Sequence, residues 1–273
     1  MSEGLLSSIV QSVVAAPRVY DLLSFFIVCA FYLFFYFANA AALPFFSAAY
    51  ANWRSQENQA SARGGKSNEV AIKEMRRFRL YVGSTLNSIV CVSIATFMIT
   101  EGFFVAPSNV ASASTRLCCW WLSGYFVADL LLGIRDAKEY PSDVVHHVLG
   151  LTLVSSFLVA DAPLQKFLAP YGLWFFISES STIPLNIIYM LEKNGALPSA
   201  TSIFILKRLF LFCFVICRVV LMPAFAVVHL SFFSDAPSGA GFLFAATSCW
   251  GLSFLQFYFF TVVVREVRSH HLH

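Results

Sequence analysis

Of the 273 residues, 58% are hydrophobic and only 12% are charged, about half the charged share of a soluble domain. So few charges leave too little polar surface to cover a globule of this size, which excludes an ordinary soluble protein and points to one polytopic membrane domain. Lys and Arg total 18 against 15 Asp and Glu, a near balance that carries no electrostatic footprint for nucleic acid.

Residues 1–21 are only mildly apolar and read as an N-terminal segment. The first strong run, from Leu22 to about Ala48, is longer than the apolar core of a signal peptide and is expected to persist as a transmembrane helix. The polar stretch 49–79 follows, with Gly64-Gly65 near its centre and "KEMRRFRL" at its end. It reads as a flexible basic loop running into a short basic amphipathic helix. Residues 80–264 then form a six-helix membrane domain, and 265–273 a short tail. A spanning helix needs about 20 apolar residues. Seven runs qualify, near 22–45, 80–104, 117–134, 144–160, 167–189, 205–228 and 240–264. The fold class is therefore all-α, a polytopic bundle of seven helices enclosing a lipid-accessible cavity.

Loop charges set the orientation. Arg54, Arg63, Lys66, Lys73, Arg76, Arg77, Arg79, Arg135, Lys138, Lys193, Lys207, Arg208, Arg265 and Arg268 fall on one side of a seven-span arrangement, and only Arg18, Arg116 and Lys166 on the other. The richer side is expected to be cytosolic, which makes the N-terminus lumenal and the C-terminus cytosolic. The seven cysteines form no CxxC pattern and read as buried thiols acting as small hydrophobes.

Ionisable residues inside spans are costly and usually face the bundle interior. Here they are Asp129 in the third run, His146 and His147 at the start of the fourth, Glu179 in the fifth and Arg218 in the sixth. The helix rise places the histidines about 5 Å deep, Asp129 about 8 Å, and Glu179 and Arg218 about 15 Å. All belong to the cytosolic half. Glu179 and Arg218 at matched depth are expected to pair, which alone would be a structural role. Asp129 could likewise serve only as a hydrogen-bond acceptor. Adjacent histidines on a helix point about 100° apart, so at least one faces inward, and Asp143 can approach His147 at i,i+4. Ser142 or Asp143 is a fitting N-cap. A neutral imidazole near pH 7 can act as a general base toward a hydroxyl or amine. The candidate catalytic set is His146, His147, Asp129 and Asp143. Metal binding would need Asp129 or Glu179 from another helix, and no metal or resident cofactor is assigned.

The chain resembles the TLC family, named for the translocation-associated TRAM proteins, the longevity-assurance ceramide synthases and the neuronal ceroid lipofuscinosis protein. The resemblance rests on "GYFVADLL" at 124–131, "SDVVHHVLGL" at 142–151, "SESSTIPLN" at 178–186 and "CRVVLMPAF" at 217–225, in this order, across about 80–264. It is closest to the small TLC-domain-containing proteins. The resemblance implies a helix bundle with a lipid- or acyl-binding cavity, in the endoplasmic reticulum or another endomembrane. Glu179, Arg218, Ser178 and Asn186 are assigned to that cavity. In ceramide synthases the matched His-His pair serves acyl transfer from acyl-CoA. Here the following segment, "TLVSSFLVADAPLQKFLAPYG", holds only Asp161 and lacks the paired aspartates of those enzymes.

The expected function is lipid homeostasis, with membrane lipids as partners. An acyl-CoA-dependent acyltransferase using His146-His147 is the alternative, with acyl-CoA as co-substrate. A transporter would often show internal repeats, and none is visible. A seven-span receptor would place its pocket at the opposite end. The oligomeric state is left open.

Overall fold

A computed structural model describes residues 19–62, 69–100, 109–133, 141–159, 168, 172–194, 200–231 and 240–269. Apart from Ser47, every described residue is helical. The helices are α1 (Val19–Phe46), α2 (Ala48–Ala62), α3 (Glu69–Thr100), α4 (Asn109–Gly133), α5 (Pro141–Val159), α6 (172–178), α7 (Thr182–Asn194), α8 (Ala200–Cys213), α9 (Met222–Ser231) and α10 (Ala240–Ser269). A 3-10 turn, Glu179–Ser181, joins α6 to α7, and a π-helical stretch, Phe214–Leu221, joins α8 to α9. Where the expected apolar runs fall on described residues they are helical, the fifth and sixth being divided at the 3-10 and π segments.

Among the described residues, three helices are long and apolar enough by themselves to cross a membrane: Leu23–Phe46, Glu69–Thr100 and Phe242–Arg265. Their outer faces carry bare hydrophobes such as Phe34, 72% exposed, and Phe254, 66% exposed. Water would not tolerate such a surface, whereas hydrocarbon solvates it. The protein is a membrane protein.

Within 49–79 the described residues depart from the expected loop, while its centre at Gly64-Gly65 lies outside the described residues. Pro44 lacks an N–H and helps end α1, and Ser47 makes the turn. Ser47 then caps α2 by accepting the Tyr50 N–H at 3.1 Å. Residues 48–62 are therefore helical rather than a loop. Tyr50 and Trp53 hold α2 against Phe78 of α3. Nor is there a separate basic helix. The 32 residues of α3 run on the order of 48 Å, well beyond the ~30 Å hydrocarbon core, and the basic stretch is its first three turns.

The core forms where α4 packs between α1, α3 and α5, with α10 against the far side of α5. Leu122, Phe126, Phe157, Phe175, Phe176 and Leu252 fill it. Gly124 is needed at the α1–α4 crossing, because a Cβ there would lie 2.6 Å from the Val28 side chain and 2.9 Å from the Cys29 nitrogen. Close backbone approach at small residues is how membrane helices gain packing energy. On the other side of the bundle, α7 packs against α3 and α8. Tyr81 stacks on Tyr189 at 4.1 Å, and Glu74 bonds both Tyr189 Oη and Lys193 Nζ at 3.0 Å. The two basic segments around 49–79 and 190–208 therefore meet at one end of the bundle.

Candidate functional site

Two prolines shape the deeper half of the site. Pro184 and Pro223 each follow a charged residue by five positions, Glu179 and Arg218. A proline inside a helix cannot donate to its i−4 carbonyl and clashes with it. The chain relieves this in opposite ways, by tightening to a 3-10 turn before Pro184 and widening to π geometry before Pro223. In the tightened turn Thr182 N–H bonds to the Glu179 carbonyl, which leaves the Ser178 carbonyl open. Arg218 Nε donates to that carbonyl at 3.1 Å and to Ser181 Oγ at 2.8 Å.

The rest of the Arg218 guanidinium is equally engaged. Nη2 donates to Thr182 Oγ1 at 2.7 Å and to Glu179 Oε1 at 3.3 Å, and Nη1 lies 3.5 Å from Gln256 Oε1 on α10. The other carboxylate oxygen of Glu179, Oε2, accepts from Thr182 Oγ1 at 3.2 Å and lies 3.1 Å from Ser88 Oγ on α3. Both charged side chains are almost fully buried. The expected pairing of Glu179 with Arg218 is present, and it ties α3, α7, the π stretch and α10 into one network. Ser178 contributes its carbonyl, while its hydroxyl donates to Phe175 O at 2.6 Å. Asn186 is buried but points elsewhere, donating to the Tyr81 carbonyl of α3 at 3.3 Å.

The second group sits where α4 ends and α5 begins. His147 Nδ1 is 3.0 Å from Asp129 Oδ2, each side chain 15% exposed. Asp129, not Asp143, is thus the carboxylate that reaches His147; Asp143 is exposed on the first turn of α5. An N–H at Nδ1 directed to a carboxylate fixes the tautomer and leaves Nε2 as the lone-pair nitrogen.

The two histidines diverge, as their 100° offset requires. His147 faces α4, with the Phe126 ring at 5.4 Å and Tyr125 at 6.0 Å. His146 has Phe126 and Phe259 of α10 each at 6.4 Å. Its Nδ1 is buried and has no hydrogen-bond partner among the described residues. Phe126 lies against both rings because Gly150 lets it in: a Cβ at 150 would sit 2.8 Å from the phenyl edge.

Sequence reasoning missed Thr182, Ser88, Ser181 and Gln256. They are uncharged residues in apolar helices and look ordinary there. The signal that could have found them is the pair of prolines, which marks where backbone carbonyls are released.

A family model of the TLC domain matches residues 77–265. The chain belongs to the TLC-domain family. Searches of curated proteins and of solved structures return no match. The match covers the helices that carry Asp129, the two histidines, Glu179 and Arg218, and it links this TLC protein to membrane lipid biology.

Proposed function

We propose that this TLC protein acts in lipid homeostasis, holding a lipid or acyl chain among its helices and altering membrane lipid composition. The observation that carries the reading is the His147–Asp129 contact at one end of the bundle, 3.0 Å long and partly accessible. Polar groups are retained inside a membrane domain at a cost, and a polar pair at the end of a helix bundle suits contact with a lipid headgroup. The basic segments that gather at one end of the bundle support a cytosolic placement of that end, with the N-terminus lumenal and the C-terminus cytosolic. The family resemblance supports an endomembrane location. Loss of the protein should shift the acyl composition of membrane phospholipids, and re-expression should restore it. Unchanged lipid profiles across both conditions would overturn the reading.

A second reading, acyl transfer from acyl-CoA, is favoured by the His147 geometry. Asp129 orients the ring, and Nε2 is left to take the proton from an attacking hydroxyl or amine. The acceptor oxygen or nitrogen bonds to the thioester carbonyl, the C–S bond breaks, and the leaving thiolate recovers the proton. Purified protein with a panel of acyl-CoAs should then release free CoA in an acceptor-dependent way, and His147→Ala should abolish the release. Turnover that survives His146→Ala combined with His147→Ala would exclude this mechanism.

A further inference from the structure

A groove of about 280 Å³ runs between α1, α4 and α5, lined by Phe25, Trp120, Ser123, Val127, Leu151 and Ser155 among others. The volume falls just below the usual range for a ligand pocket, room for a segment of one chain and too little for a bulky headgroup. The helices that form it carry bare hydrophobes on their outer faces, including Phe26, 57% exposed, and Leu131, 59% exposed. An occupant must therefore come from the hydrocarbon region.

One atom in this groove is out of place. Ser123 is 2% exposed, and its hydroxyl has no hydrogen-bond partner among the described residues. A serine or threonine in a membrane helix can always satisfy itself on the i−4 carbonyl. Thr85, Ser93, Thr96, Thr152, Ser156 and Ser253 all do so, at 2.7–2.9 Å. Ser123 forgoes that bond while lining the groove. A buried unpaired hydroxyl in an apolar setting is costly, so its natural partner is an oxygen supplied from the groove.

We infer that this groove is a binding site for a lipid chain that carries an oxygen substituent part-way along its length, with Ser123 hydrogen-bonding that oxygen. The inference rests on the lipid-binding reading above and names its ligand class. Ser123 is ten residues from the α4 end at Gly133, on the order of 15 Å along the helix. The oxygen is therefore mid-chain rather than part of a headgroup. Leu151, at the upper end of the groove, is one helical turn below His147, so a chain seated here presents its polar end toward the His147–Asp129 pair.

The test uses the full-length protein in lipid nanodiscs and a photoactivatable stearic acid bearing a chain diazirine. The labelled peptides are located by mass spectrometry, and stearic acid with or without a mid-chain hydroxyl is used as competitor. Label should fall on the segments 120–127 and 151–158. The hydroxylated competitor should be roughly three- to tenfold the stronger, as one net hydrogen bond implies. Ser123→Ala should erase that preference while leaving the label in place, and Ser155→Leu should reduce the label by filling the groove. Equal competition by the two acids would overturn the oxygen selectivity. Saturable label confined to other segments, insensitive to Ser155→Leu, would overturn the groove while leaving the lipid-binding reading intact. No saturable label anywhere would overturn both.

Discussion

The Glu179–Arg218 network and the His147–Asp129 pair are both acid–base contacts inside the same bundle, yet they are built to opposite ends. In the deeper one, every nitrogen of the guanidinium has a protein partner and both carboxylate oxygens are engaged. The pair is thus compensated within the protein, with most of its hydrogen-bonding capacity used among the described residues. In the other, one imidazole nitrogen is committed to Asp129 and the neighbouring histidine keeps a buried, unpartnered Nδ1. A saturated network specifies a structure, whereas an unsaturated one keeps capacity for chemistry or recognition. On the proposed reading, these charged residues divide into a brace and a working end.

The largest effect that would break this comparison comes from Arg218→Met. Removing one partner leaves Glu179 buried and uncompensated, and should cost about 3–5 kcal/mol. The detergent-solubilised protein should melt far lower in a thermal scan. Arg218→Met with Glu179→Gln should recover most of the loss; equal melting of the single and double variants would show that the network is not a brace.

Gly124→Val comes next. Its side chain meets Val28 and the Cys29 backbone, which cannot swing away, so about 1–3 kcal/mol should be lost through a forced shift of α1. Cross-linking of cysteines engineered across the α1–α4 contact should fall in step.

Asp129→Asn should change stability least, within about 1 kcal/mol, because the amide preserves shape and can still accept from His147. Its lipid-composition phenotype should nevertheless match that of His147→Ala. A variant that unfolds as Arg218→Met does would erase the distinction between brace and working end.

The helix order was readable from apolar runs because a bilayer demands them, and the matched depths of Glu179 and Arg218 were readable because unpaired charges in hydrocarbon are so costly. What the sequence concealed was local geometry. The i,i+4 rule let Asp143 approach His147 and left it level with Asp129, and tertiary packing of α4 on α5 decided for Asp129. The polar composition of 49–62 suggested a loop, because the helix there is stabilised by a serine cap and by Tyr50 and Trp53 docking on Phe78, contacts that composition does not register. The 3-10 and π segments were likewise invisible until the two prolines were related to the residues five positions before them.

The cap of α2 has one further consequence. Ser47 Oγ donates to Asn194 Oδ1 at 2.9 Å, and the Ala49 N–H points to the same oxygen at 3.3 Å. Those partners are 147 residues apart. At ordinary translation rates of about 5–20 residues per second, Asn194 emerges on the order of ten seconds after Ser47. The local cap on the Tyr50 N–H can form at once, whereas the bonds to Asn194 form only after α7 has been made. The joint therefore ties the first turn of α2 to the far end of α7, across 147 residues of chain.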